Sequence, residues 1–412
     1  MTVEEGIGGP RKVGRGPWSG LPREVGVLSA VAFFVALGFG IVAPAIPVFA
    51  RHFGVSHAAA AGVVSAFALM RFVSALGCGR LVDRIGERTV LGTGIGVVAV
   101  SSALAGLAQD YQQLLLLRGI GGVGSAMFTV SASSLLLGAT TSSERGRSMG
   151  AFSGGFLVGG IAGPALGGVV TGISLRAPFF VYAGTLAAAG AVGLILLPRK
   201  DRVAATATQA ARPEPMAVRA ALRLPAYRAA AVANLADSWA SLGVRSAIIP
   251  LFVSEVLHER PVVTGAGFVV FTIGNVATLT LGGRLADRSG RRPMLLAGCF
   301  GTAGGVGLLV LPPSVALFFA AMLVFGLGSG LLDVAPGAVL GDVVAGRGGA
   351  VVATYQMAGD AGSFLGPLVA GALADAWSFE AAFASTAAVL VLAGLLSALA
   401  PETLDRSEVR AS

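Results

Sequence analysis

Six stretches of this chain contain no Asp, Glu, Lys or Arg: residues 25–50, 89–109, 119–143, 148–175, 177–198 and 261–283. Each meets the roughly 20 residues that a helix needs to cross the hydrocarbon of a bilayer. A longer uncharged stretch, 293–332, is divided by Pro312, Pro313 and Ser314, which read as a turn between two spans. Four further apolar segments, about 58–80, 228–254, 348–373 and 377–400, tolerate an internal charge. The pattern predicts an all-α integral membrane protein with twelve transmembrane helices, termed spans 1 to 12 below.

The shortage of charge holds across all 412 residues. Charged side chains make up 12% of the chain, against about 25% in an average soluble domain. With 55% hydrophobic residues and 61 glycines, a soluble protein of this length would lack the polar surface to cover itself. Disorder, a collagen-like repeat and a disulfide scaffold are excluded as well, because apolar content is high, glycine has no three-residue period and only two Cys are present.

Charge position predicts orientation. If both termini lie inside, cytoplasmic segments collect 23 of the 29 Lys and Arg, and outer segments collect 3: Arg51, Arg176 and Arg260. That asymmetry follows the positive-inside rule. The basic pI near 10.4 is therefore read as orientation and contact with anionic lipid rather than a nucleic-acid footprint. The expected organisation is a cytoplasmic lead (1–24), a six-helix bundle (25–197), a cytoplasmic linker (198–227), a second six-helix bundle (228–400) and a cytoplasmic tail (401–412). The first apolar run is too long for a signal-peptide core and is expected to stay as span 1.

The two bundles are duplicated. Residues 79–86 (GRLVDRIG) return as 283–290 (GRLADRSG), an offset of 204. Ile46-Pro47-Val48-Phe49 returns as Ile249-Pro250-Leu251-Phe252, and Gly163-Pro164 as Gly366-Pro367, both at offset 203. Internal repeats of this kind are a common plan of secondary transporters.

At these residues the chain resembles the major facilitator superfamily over essentially its whole length, and its twelve-span drug:proton antiporter branch in particular. The loop after span 2 carries the family's Gly-x-Leu-x-Asp-Arg-x-Gly pattern at Gly79, Asp83, Arg84 and Gly86. The second copy uses Gly283, Asp287, Arg288 and Gly290 and is fuller, because Arg291 and Arg292 follow where the first copy has Glu87. The resemblance implies a cytoplasmic latch between the halves. In span 5, Gly159, Gly163, Pro164, Gly167 and Gly168 resemble the motif of exporting, proton-antiport branches. Gly155, Gly159, Gly163 and Gly167 lie four apart on one stripe, which lets a neighbouring backbone approach closely. Span 4 holds Arg118 with Gly122 and Gly124, similar to a motif linked to proton transfer, although Gly121 stands where Gln is usual. Residues 119–124 also spell a dinucleotide-binding glycine pattern, but inside an uncharged span rather than after a strand.

Six charges are embedded in spans, where each costs roughly 2.5–3.5 kcal/mol at mid-depth. The bases are Arg71, Arg118 and Arg245; the acids are Asp237, Asp333 and Asp360. Burial and a neighbouring arginine pull a carboxyl's proton affinity in opposite directions, so an embedded acid can be poised to exchange protons. Asp360, Asp237, Arg118 and Asp333 are the candidates for proton coupling, each with a static polar contact as the alternative. Arg71, its repeat partner Asn275, Arg245, Phe39 and Tyr355 are the candidates for a substrate cavity.

Lys12 and Lys200 complete no phosphate-binding loop. Cys78, Cys299 and the three His at outer span ends show no metal spacing. No cofactor and no enzymatic chemistry are expected. The expected function is export of a small amphipathic compound, a drug or antibiotic, in exchange for protons. The expected setting is a bacterial inner membrane, with lipid, protons and a small-molecule substrate as partners, no nucleic acid, and a monomeric chain. Uptake of a metabolite on the same fold, or a non-transporting membrane sensor or enzyme, remain as alternatives.

Overall fold

Helix ends fall where the turn residues and charges stand. The structure, a computed structural model, describes residues 21–140, 145–197, 217–343 and 349–403, and among these it contains helices and turns but no strand. Span 1 is Arg23–Val42, continued beyond Pro44 by Ala45–Arg51. Spans 2 to 6 are His57–Ile85, Glu87–Gly106, Tyr111–Ala139, Arg145–Ile173 and Ala177–Leu196. A short helix, Val218–Ala221, ends the linker. Span 7 begins with Pro225–Asp237, widens into a π-helical segment, Ser238–Val244, and finishes through Arg245–Ala247 and Ile249–Glu255. Spans 8 and 9 are Pro261–Ser289 and Arg291–Leu308. Span 10 is Val315–Leu332 with Ala335–Val343, span 11 is Gly349–Ala376 and span 12 is Phe379–Ala398.

Among the described residues, ten helices are long and apolar enough to cross a membrane. The other two of the twelve passes have local reasons to fall short. Span 7 is divided by its π segment, and span 9 opens on Arg291 and Arg292.

The repeat seen in sequence is also a repeat of contacts. Asp110 and Ser314, 204 residues apart, cap spans 4 and 10 by accepting from the Gln113 and Leu317 amides. Gly86 and Gly290, the last glycines of the two loop motifs, hold φ of 88° and 106°. A side chain there would be strained, which is why the motif ends in glycine. Arg88 donates to the Leu194 carbonyl, and Arg292 donates to that of Ala398, again 204 residues along. A Cβ on Gly122 would meet the Phe67 carbonyl within 3.0 Å; one on Gly326 would meet that of Phe271 equally closely.

The glycine stripe of span 5 does what its spacing predicts. A Cβ on Gly155, Gly159, Gly163 or Gly167 would lie within 3.0 Å of the carbonyl of Ser29, Phe33, Leu37 or Ile41. Spans 1 and 5 thus touch backbone to backbone over about three turns, a contact that larger residues would prevent. Gly362 and Gly366 of span 11 repeat this against Leu235 and Trp239 of span 7.

Gly168 and the Pro164 carbonyl serve a different partner, while the Pro164 ring still packs on Gly40 of span 1. A Cβ on Gly168 would sit 3.0 Å from Val262 Cα, and one on Gly265 would sit 2.6 Å from the Pro164 carbonyl. The motif therefore packs span 1 within its own half and span 8 of the other half. The halves meet along two such seams, span 5 on span 8 and span 2 on span 11. In the second seam, Gly371 packs on Ala58, and the Ser65 hydroxyl donates to the Phe364 carbonyl at 2.8 Å.

Candidate functional site: the polar groups between and within the bundles

One embedded base and one embedded acid meet across the seam. Span 2 carries Arg71 and span 11 carries Asp360, and Arg71 Nη2 donates to Asp360 Oδ1 at 2.6 Å. Side-chain exposures of 31% and 27% leave both partners partly buried. The Phe72 and Phe364 rings, 6.0 Å apart, stand beside the pair on the same two helices. A charge-assisted hydrogen bond is roughly twice as strong as a neutral one, so it outweighs the single Ser65 contact nearby.

A second polar centre lies wholly within the C-terminal half. Asp237 is the last α-helical residue of span 7 before the π segment and is buried. Its Oδ1 accepts from Ser241 at 3.1 Å and from Ser329 of span 10 at 2.8 Å, and the two hydroxyls are 2.9 Å from each other. Single-turn π segments are frequent at functional sites. Here the segment holds Ser241, with its hydroxyl returned to the carboxylate four residues before it. Arg245 Nε donates to the Ser241 carbonyl at 2.9 Å, and its guanidinium lies over Phe271 and Phe268, 4.3 and 4.9 Å from their centroids.

Arg118 occupies the corresponding setting in the N-terminal half. It is 2% exposed and lies 4.5 Å over the ring of Phe67, the repeat partner of Phe271. Its Nε has no hydrogen-bond partner among the described residues. Phe39 stands 6.4 Å from Phe67 and 6.5 Å from Tyr182, completing an aromatic layer. Each half thus carries one arginine on an equivalent phenylalanine, and among the described residues the buried acid, Asp237, belongs to the C-terminal half.

The remaining candidates separate. Asn275, the repeat partner of Arg71, donates to Asp333 at 2.7 Å rather than reaching across the seam. Tyr355 is half-buried and engaged through its carbonyl, which accepts from Asn234 at 2.9 Å. In the loop motifs, Gly79 has open space around its Cα, and Asp83 and Arg84 are both engaged in interactions. In the second copy, the side chains of Asp287 and Arg288, and the surroundings of Gly283, lie outside the described residues.

One cluster was missed in the sequence. At the end of the molecule remote from the termini, Arg51 Nε donates to Glu255 Oε1 at 2.9 Å. His57 places Nε2 2.8 Å from Glu255 Oε2 and Nδ1 2.6 Å from Asp375 Oδ1. Asp375 also accepts from the backbone amides of His57 and Ala58, both at 2.8 Å. The signal was present in part: Arg51 and Glu255 are opposite charges at the ends of spans 1 and 7, corresponding spans of the two halves.

The fold and these embedded charges define a two-bundle helical membrane transporter. The model of the Major Facilitator Superfamily matches residues 28–243 and 231–411, and the chain belongs to that family, whose members are transporters rather than enzymes. Among similar proteins is "Multidrug resistance protein 2" of Bacillus subtilis (strain 168), 29% identical over 175 residues, covering 42% of this chain and 44% of that protein. "Quinolone resistance protein NorA" of Staphylococcus aureus (strain MRSA252) is 29% identical over 164 residues, 40% of this chain and 42% of that one. The match therefore spans less than half the length of these relatives. Among solved structures, a bacterial homolog of the human lysosomal transporter Spinster has a TM-score of 0.77 at 16% identity, covering 91% of this chain and 96% of that one. The nucleoside transporter NupG has a TM-score of 0.72 at 13% identity, covering 91% and 99%. These two share the fold.

Proposed function

We propose that the protein exports a small amphipathic compound, a drug or antibiotic, in exchange for protons, by rocking its two bundles against each other. In this reading it works as a monomer in a bacterial inner membrane with both termini in the cytoplasm. The observation that carries the reading is the Arg71–Asp360 bond between the halves. A proton taken up by Asp360 cancels its charge, leaves the guanidinium without its counter-ion and loosens span 2 from span 11. Removing one partner of such a pair is costly, so the protonation state of one carboxyl biases the whole arrangement. Asp237, held by two hydroxyls beside Arg245, is the second proton carrier. Arg118 and Arg245 act as fixed positive charges on the aromatic layer, and Asp333, Asn275, Phe39 and Tyr355 border the substrate path. The drug-resistance names of the two relatives and the backbone contact between spans 1 and 5 support the exporting direction.

Everted membrane vesicles with an acidified lumen test this. Accumulation of the compound inside supports export, and gradient-driven loss would mean uptake instead. Asp360→Asn or Asp237→Asn is expected to abolish proton-coupled transport while substrate binding persists. If both variants still move protons on substrate exchange, these acids are not the carriers.

A further inference from the structure

We propose that His57 is a proton-operated tie between the two halves at the outer end, so that external acidity holds that end shut and its loss lets it open. The geometry is specific to this imidazole. Both ring nitrogens face carboxylate oxygens, Nδ1 to Asp375 and Nε2 to Glu255. A neutral imidazole has one N–H and one lone pair, so it can satisfy only one of these acids and repels the other. The doubly protonated ring donates to both.

Among the described residues, the charged groups in hydrogen-bond contact with this ring are Glu255 and Asp375. Glu255, at the end of span 7, is held on its other side by Arg51. Asp375, at the end of span 11, is held by the two backbone amides that open span 2. The remaining neighbour is the ring edge of Phe379 of span 12, at 5.0 Å. Arg51 and His57 belong to the N-terminal half, and both carboxylates belong to the C-terminal half. Side-chain exposures of 17% for His57, 31% for Glu255 and 28% for Asp375 give protons access. Histidine is also the side chain whose charge ordinarily changes between about pH 5 and 8. The tie binds its second proton in the shut arrangement, so raising the pH favours the open one. The Arg51–Glu255 bond and the two amide contacts persist, so the tie weakens rather than vanishes.

The function proposed above enters only in naming this end as outer. The test reads distance rather than transport, so its outcome is separate from that of proton coupling. Spin labels are placed at Gln109→Cys and Pro313→Cys, exposed positions in opposite halves, with Cys78→Ala and Cys299→Ala. Distances are measured by double electron–electron resonance in liposomes without substrate from about pH 5 to 8. The expected result is a long-distance population that grows with pH. Its ratio to the short one rises by no more than about tenfold per pH unit, the ceiling for one linked proton. His57→Gln is expected to be flat and shifted to long distances, and His57→Arg flat and short. The same series in Asp360→Asn removes any contribution of that acid. A flat native profile overturns the proposal, as does a His57→Gln or His57→Arg profile that follows the native one. If His57→Gln does not fold, His57→Arg alone decides.

Discussion

Asp237 is the residue on which the chemistry of the C-terminal half turns. A carboxylate buried in a helix bundle is tolerable only when donors surround it, and here Ser241 and Ser329 supply them. Ser329→Ala leaves a buried carboxyl oxygen without one of its donors, which costs about 1–3 kcal/mol. The expected outcome is a lower unfolding temperature in detergent for Ser329→Ala, with a much smaller loss when the same change is made in Asp237→Ala, which has no acceptor there. Equal losses in both backgrounds would mean that the serine matters for packing alone. The embedded residues themselves were legible in sequence, because a charge in an apolar run is conspicuous. Their partners were not. Arg71 and Asp360 are 289 residues apart on helices that meet only through packing, so no local spacing announces the pair. Asn275 shows the limit of repeat reasoning: it is equivalent to Arg71, yet it bonds within its own half.

At the scale of helices, glycine spacing carried the most information. Four glycines at intervals of four predicted a close neighbour for span 5, and span 1 occupies that place. The division of the motif could not be read from spacing. Gly168 lies one residue beyond Gly167, about 100° around the helix, and so meets span 8, as the Pro164 carbonyl does. A paired substitution checks the argument. Gly159→Ala would press a methyl group against the Phe33 carbonyl, whereas Gly160→Ala would meet nothing within 4 Å. Folded protein recovered after detergent extraction is expected to fall sharply for Gly159→Ala and to match the native yield for Gly160→Ala. The π segment of span 7 was also invisible in sequence. Wind and width of a helix depend on what packs beside it, here Gly362 and Gly366 of span 11.

For the molecule as a whole, movement requires the seams to part at one end while holding at the other. Ser65 and Phe364 lie on facing turns of spans 2 and 11, joined by one hydrogen bond. A short bis-methanethiosulfonate cross-linker between Ser65→Cys and Phe364→Cys, with the native cysteines replaced, is expected to stop transport. Cleavage of the linker should restore it. Transport that continues when cross-linked would mean that this seam does not open. The twelve-span plan followed from charge gaps and the internal repeat, and the family from the resemblance of the loop and span 5 motifs, since all are properties of the chain alone. The Arg51–His57–Glu255–Asp375 cluster draws on four span ends and exists only once the bundles are docked.

The Arg51–Glu255 bond joins the end of span 1 to the end of span 7, which hold corresponding places in the two halves. At the local offset of 203, Arg51 answers to Ser254 and Glu255 to His52. Two N-terminal halves docked on each other would therefore set arginine near histidine here, and two C-terminal halves would set glutamate near serine. Opposite charge at this junction exists only between unlike halves, so the bond favours one half of each kind in the docked molecule.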